Sequence, residues 1–79
     1  MRVGVNLYAN LAKYAPPGSG RYAIPLELDD GDTVAAVLRR LKVPSRERTT
    51  VLIEGRHVSL NQCVYEGAQL HVFPPMCGG

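Results

Sequence analysis

Asp32-Thr33-Val34-Ala35-Ala36-Val37-Leu38-Arg39-Arg40-Leu41-Lys42 is the stretch on which the fold turns. Val34, Val37, Leu38 and Leu41 recur at i, i+3, i+4 and i+7, which puts four apolar side chains on one helical face. Thr33 or Asp32 can cap the first N–H groups, and Pro44 stops the helix soon after Lys42. A helix of about nine residues is marginal alone in water, so its apolar face has to be laid against a sheet.

Strands are readable on both sides of it. Upstream, Val3, Val5 and Leu7 alternate with Arg2, Gly4, Asn6 and Tyr8, the pattern of a strand with one buried face. Residues 9–15 suit one or two helical turns that carry Leu11 and Tyr14 onto the sheet. Pro16-Pro17-Gly18-Ser19-Gly20 breaks regular structure and reads as a surface loop. Alternation resumes at Tyr22, Ile24, Leu26 and Leu28, with Pro25 among them. Lacking an N–H for the ladder, Pro25 places this strand at an edge or at a bulge. The two runs can pair as an antiparallel hairpin, and Asp29-Asp30-Gly31-Asp32 turns into the helix.

Downstream, residues 45–48 are a polar link and Thr50–Ile53 reads as a third strand. Glu54-Gly55-Arg56 is a tight turn into a short segment around His57 to Leu60. Residues 61–65 carry no clear pattern. Glu66-Gly67 turns into a last strand, Ala68 to Phe73, with Leu70 and Val72 inward and His71 and Phe73 outward. The order strand, strand, helix, strand, short strand, strand predicts an α+β domain of the β-grasp type, a mixed sheet of four to five strands packed on one main helix. A ferredoxin-like split βαβ would need a second helix, for which residues 61–66 are too few. Residues 1–73 form the domain, and residues 74–79 an extended tail.

Composition narrows the functional classes. The chain has 79 residues, 46% apolar and 20% charged, which suits one small folded domain. A formal net charge of +2 gives no basis for nucleic-acid binding. Arg39, Arg40 and Lys42 cluster where a helix C-terminus is expected and complement its dipole. No apolar run approaches the roughly 18 residues of a membrane span and no basic leader is visible, so a cytoplasmic protein that binds no membrane is expected.

Enzyme chemistry finds no footing. Gly18-Ser19-Gly20 lacks the spacing and the base of a phosphate loop. Asp29, Asp30 and Asp32 lack the distal acidic ligand of a calcium loop, and a solvated turn accounts for them. His57 and His71 have no acidic or nucleophilic partner at a recognisable spacing. Cys63 and Cys77 make neither a disulfide framework nor a zinc motif, and Cys63 reads as a small core or near-surface hydrophobe.

The tail Pro74-Pro75-Met76-Cys77-Gly78-Gly79 is different. Gly78 and Gly79 lack Cβ atoms and can enter a narrow channel, while Pro74 and Pro75 hold the stem extended. A carboxylate is a poor electrophile until a partner converts it to a mixed anhydride with AMP. A sulfur nucleophile can then displace AMP to leave a thiocarboxylate, or an amine can displace it to leave an amide. Either reaction needs an unbranched, exposed terminus, and these residues supply one.

Phe73-Pro74-Pro75-Met76-Cys77-Gly78-Gly79, together with the turn Leu28-Asp29-Asp30-Gly31-Asp32-Thr33-Val34, resembles the ubiquitin-like sulfur carriers, most closely the small subunit of molybdopterin synthase. The resemblance implies a sulfur carrier in molybdenum or tungsten cofactor biosynthesis, itself a non-catalytic subunit of the synthase. Gly79, preceded by Gly78, would be adenylylated by an E1-like adenylyltransferase using ATP and magnesium, with no cofactor bound to the carrier itself. A sulfurtransferase or cysteine desulfurase would supply sulfur, and the thiocarboxylate would pass it to precursor Z in the synthase. The large synthase subunit would receive Pro74, Pro75, Met76, Cys77 and the glycines, with Phe73 beside the stem. Gly4, Tyr8, Leu52 and His71 would share one sheet face, a further candidate patch for partner contact. The same chemistry also suits a modifier conjugated to protein lysines through Gly79, or a carrier for thiamine, cysteine or tRNA thiolation.

Overall fold

A computed structural model describes residues 1–16, 23–44 and 49–74. Its elements are β1 (Arg2–Leu7), a 3₁₀ helix (Ala9–Tyr14), β2 (Ile24–Glu27), α1 (Val34–Arg40), β3 (Thr50–Ile53), β4 (Arg56–Val58) and β5 (Gln69–Phe73). The five strands form one sheet in the order β2-β1-β5-β3-β4. β1 and β5 run parallel at its centre, and every other neighbour pair is antiparallel. Two hairpins, β1–β2 and β3–β4, are therefore joined through β5, with α1 connecting them. This is the β-grasp arrangement that the order of elements predicts.

Strand register gathers the alternating apolar residues on one face. Val5 lies opposite Leu70 and Leu7 opposite Val72, while on the other side of β5 Val51 faces Val72 and Ile53 faces Leu70. All six side chains are buried, as are Val34, Val37, Leu38 and Leu41 of the helical stretch laid over them. Each fully buried Val or Leu contributes about 1.5–3 kcal/mol relative to exposure, so this layer is the main source of stability. Leu11 of the 3₁₀ helix is fully buried and Tyr14 packs beside the same cluster. Pro25 sits opposite Gly4 on β2, an edge strand, where a missing N–H costs no ladder bond on the outer side.

α1 is seven residues long, shorter than the nine expected, because its termini are finished by specific partners. Thr33 is the N-cap, its Oγ1 accepting from Ala36 N. Val34 N donates to Gln62 O at 2.9 Å and Ala35 N to Leu60 O at 3.0 Å. Residues 60–64, without pattern in the sequence, thus satisfy the helix N-terminus; Val64 N in turn donates to Asp32 O, and Thr33 and Cys63 form an isolated bridge. At the other end Val43 N bonds Leu38 O and Lys42 N bonds Arg39 O, the paired bonds of a Schellman closure. Lys42 takes φ +61 there, a position that favours glycine.

Strand boundaries move from their expected places: β1 ends at Leu7 rather than Tyr8 and β2 at Glu27 rather than Leu28, while the expected Tyr22 position lies outside the described residues. β4 begins at Arg56 and ends at Val58 rather than covering His57 to Leu60. Its loop is two residues, Glu54 at φ 54 and Gly55 at φ 77, the doubly left-handed turn whose twist suits a tight hairpin. Leu60 leaves the sheet to serve α1. β5 begins at Gln69, not Ala68, although Ala68 is buried and its carbonyl accepts from Gly4 N.

Candidate functional site

Of the residues expected to act, Leu52, His71, Phe73 and Pro74 are described, whereas Pro75, Met76, Cys77, Gly78 and Gly79 lie outside the described residues. The period-two alternation of a strand sends His71 and Phe73 to the sheet face opposite the core, since Leu70 and Val72 point inward. Across the antiparallel pair Leu52 sits directly opposite His71, and Thr50 opposite Phe73. Across the parallel pair Asn6 is level with His71. Leu52, His71 and Phe73 are half-buried, so a modest apolar surface surrounds the point where the chain leaves β5.

Tyr8, one residue past β1, completes this cluster. Its ring stacks on Phe73 with centroids 4.5 Å apart and planes 8° from parallel. It lies 5.9 Å from the His71 ring, and its Oη is 2.8 Å from His71 Nδ1, a hydrogen bond whose direction follows the imidazole tautomer. The sequence places Tyr8 on this face but not on Phe73, because the contact exists only once two strands distant in sequence pair in parallel.

Gly4 is also on this face but is no contact surface. It is buried, with the Gln69 side chain lying over it: a Cβ at Gly4 would come 2.5 Å from Gln69 Oε1. Asn6 fills the neighbouring position as a buried polar group. Its Nδ2 donates to Leu70 O at 3.2 Å and its Oδ1 accepts from Ala23 N at 2.8 Å.

The other titratable candidates are engaged locally. Asp32 Oδ2 accepts from Asp29 N, and Arg40 lies 3.9 Å from Asp29 and 3.8 Å from Asp32 while donating to Glu27 O. Tyr65 is exposed, and its phenol is raised above the ordinary range by local desolvation first, with a hydrogen bond to Glu54 and that carboxylate's charge pushing it the same way. His57 and Cys63 are exposed, and Cys63 Sγ lies 3.8 Å from Gly31 O. Among the described residues no three His, Cys, Asp or Glu side chains gather to hold a metal ion.

A mixed β-grasp sheet gripping one helix, with an apolar face beside the root of a Gly-Gly tail, defines a ubiquitin-like protein of the sulfur-carrier and modifier superfamily. The ThiS family model matches residues 5–79, and the chain belongs to that family. Among solved structures it is similar to SAMP1 of Haloferax volcanii, with 26% identity, 100% of both chains covered and a TM-score of 0.77. A second structure, of the small archaeal modifier protein 1 of that organism, shares 25% identity over 95% of this chain and 98% of the other, with a TM-score of 0.77. A putative molybdopterin converting factor subunit 1 from Pyrococcus furiosus shares 21% identity over 95% of this chain and 98% of that one, with a TM-score of 0.73, a likeness of fold alone. No curated protein matches the chain. The fold is that of the small β-grasp carriers and modifiers.

Proposed function

We propose that the chain is a ubiquitin-like modifier whose Gly79 carboxyl group is adenylylated by an E1-like enzyme, with ATP and magnesium, and then joined to amines of other proteins. The observation that carries this is the end-to-end similarity to a small archaeal modifier protein at 25–26% identity, together with the Gly78-Gly79 pair in the sequence. Activation forms an acyl–AMP anhydride and releases pyrophosphate. A lysine amine then forms the amide and AMP leaves, with the amine's proton passing to solvent. The face bearing Leu52, His71 and Phe73 meets the activating enzyme, and Pro74, Pro75, Met76 and Cys77 lead the glycines into its channel.

A second reading keeps the same activation and changes the acceptor. The Phe73-Pro74-Pro75 stem ahead of Gly78-Gly79 supports a thiocarboxylate carrier that passes sulfur to precursor Z, docked on a large molybdopterin synthase subunit and loaded through a sulfurtransferase or cysteine desulfurase. Thiamine, cysteine and tRNA thiolation remain customers of the same thiocarboxylate. Pro74 and Pro75 argue for the molybdopterin branch among them.

Intact mass spectrometry and immunoblotting of the protein from its own cells separate the two. Higher-mass conjugates that vanish when Gly78 and Gly79 are deleted support the modifier. A full-length species heavier by the difference between sulfur and oxygen supports the carrier. Neither product, with no adenylate formed on incubation with an activating enzyme and ATP, would sink both.

A further inference from the structure

We infer that Tyr8 is a positioning residue: its ring clamps Phe73 so that the chain leaves β5 at Pro74 in one fixed direction. This rests on the proposal that the tail is the reacting group, and it adds a residue that fixes the tail's root.

The register of the central pair ends at Leu7 and Val72, so Phe73 has no strand partner on the β1 side. The Tyr8 ring takes over where that pairing stops. Its backbone is itself tied to β5, because Tyr8 N donates to Val72 O at 3.1 Å. Its side chain has only two torsions to fix, and two contacts fix them: the near-parallel stack on Phe73 and the hydrogen bond to His71. His71 and Phe73 are two apart on one face of β5, so a single ring spans both of the outward side chains that precede the stem.

Phe73 is a sensitive place for such a clamp. A residue before proline is confined to extended backbone, so the Phe73–Pro74 unit moves as a stiff piece. Whatever orients Phe73 therefore orients Pro74. On the β3 side Phe73 is held by pairing with Thr50. With Tyr8 on the other side the root is gripped from both flanks. Tyr8 lies on the face away from the apolar core, which is complete without it. Its contribution should thus appear in presentation of the tail more than in stability.

Two measurements test this on the full chain, with Tyr8→Leu removing the stack and Tyr8→Phe keeping it while deleting the hydroxyl. In the isolated protein, the amide order parameter of Phe73 and the residual dipolar couplings at its neighbours should fall in Tyr8→Leu and stay near wild type in Tyr8→Phe. With the activating enzyme and ATP, Tyr8→Leu should raise KM for the chain about three- to tenfold at unchanged kcat, the size expected for one aromatic pair. Tyr8→Phe should recover most of it. A Phe73 amide as ordered in Tyr8→Leu as in wild type overturns the inference. Should Tyr8→Leu fail to fold, Phe73→Leu breaks the same stack, and an unchanged order parameter at residue 73 overturns it equally. If wild type itself is not adenylylated, the proposed function fails, while the order parameters still decide the role of Tyr8.

Discussion

The side-chain amide of Asn6 is bound to the main-chain carbonyl of Leu70, donor to acceptor 3.2 Å, across the central parallel pair. The same amide accepts from Ala23 N, the point where the chain returns to begin β2. One buried side chain therefore joins three segments that are far apart in sequence. Asn6→Ala leaves the carbonyl and the Ala23 N–H without these partners and should cost about 1–3 kcal/mol. Urea unfolding monitored by circular dichroism gives the value.

The Leu70 side chain, on β5, points to the core face of the sheet. It is 0% exposed and stands between Val5 and Ile53. Leu70→Ala should destabilise by about 2–5 kcal/mol, a large part of the 5–15 kcal/mol typical of a whole domain. A lowered urea midpoint with unchanged slope is the expected result.

Lys42 offers the reverse change. It closes the helix with φ +61, where a Cβ is strained. Lys42→Gly relieves that strain and loses some of the gain to the freer unfolded chain. The net gain should be about 0.5–1 kcal/mol, or a thermal midpoint higher by about 2–8 °C.

The exposed Tyr65 phenol is raised above its ordinary value of 10.0, through local desolvation first and Glu54 second. The folded state holds this proton more tightly than the unfolded chain. Its contribution to stability is therefore complete below that ordinary value and is lost as pH rises through the raised one. Glu54→Gln should bring the phenol part of the way back down, visible as an earlier rise in phenolate absorbance on alkaline titration.

Leu52 tests the proposed docking face apart from the fold. It is half-buried on the side of the sheet away from the core, directly opposite His71. Leu52→Asp should keep the thermal midpoint within a few degrees of wild type, yet weaken association with the activating enzyme about tenfold or more, as for a central apolar contact. Calorimetric titration measures it, and unchanged affinity would remove Leu52 from the interface.

Local order was legible wherever a period was clean. Val3, Val5 and Leu7, the 34–37–38–41 helical stripe, Thr50–Ile53 and the Leu70–Val72 pair all carry their burial in their spacing. Pro25 announced an edge by what it cannot donate. The segment around Leu60 to Val64 was opaque because its work is done by main-chain carbonyls and amides, which any residue provides. The open face was legible in part. Alternation put Tyr8, Leu52, His71 and Phe73 there, but the Tyr8–Phe73 stack and the Gln69 cover on Gly4 depend on which strands are neighbours.

Among the described residues β5 is the last element in chain order, and it is the middle strand of the sheet. On the ribosome, β1 and β3 are synthesised well before the strand that must lie between them. Until residues 69–73 emerge, Val5, Leu7, Val51 and Ile53 have no cross-strand partners from β5, and the two hairpins cannot join into one sheet. Assembly of the sheet therefore waits for residues 69–73, in a single late step dominated by distant contacts. The Tyr8–Phe73 stack forms only in that step, so a nascent chain that still lacks residues 69–73 does not yet display the proposed docking face.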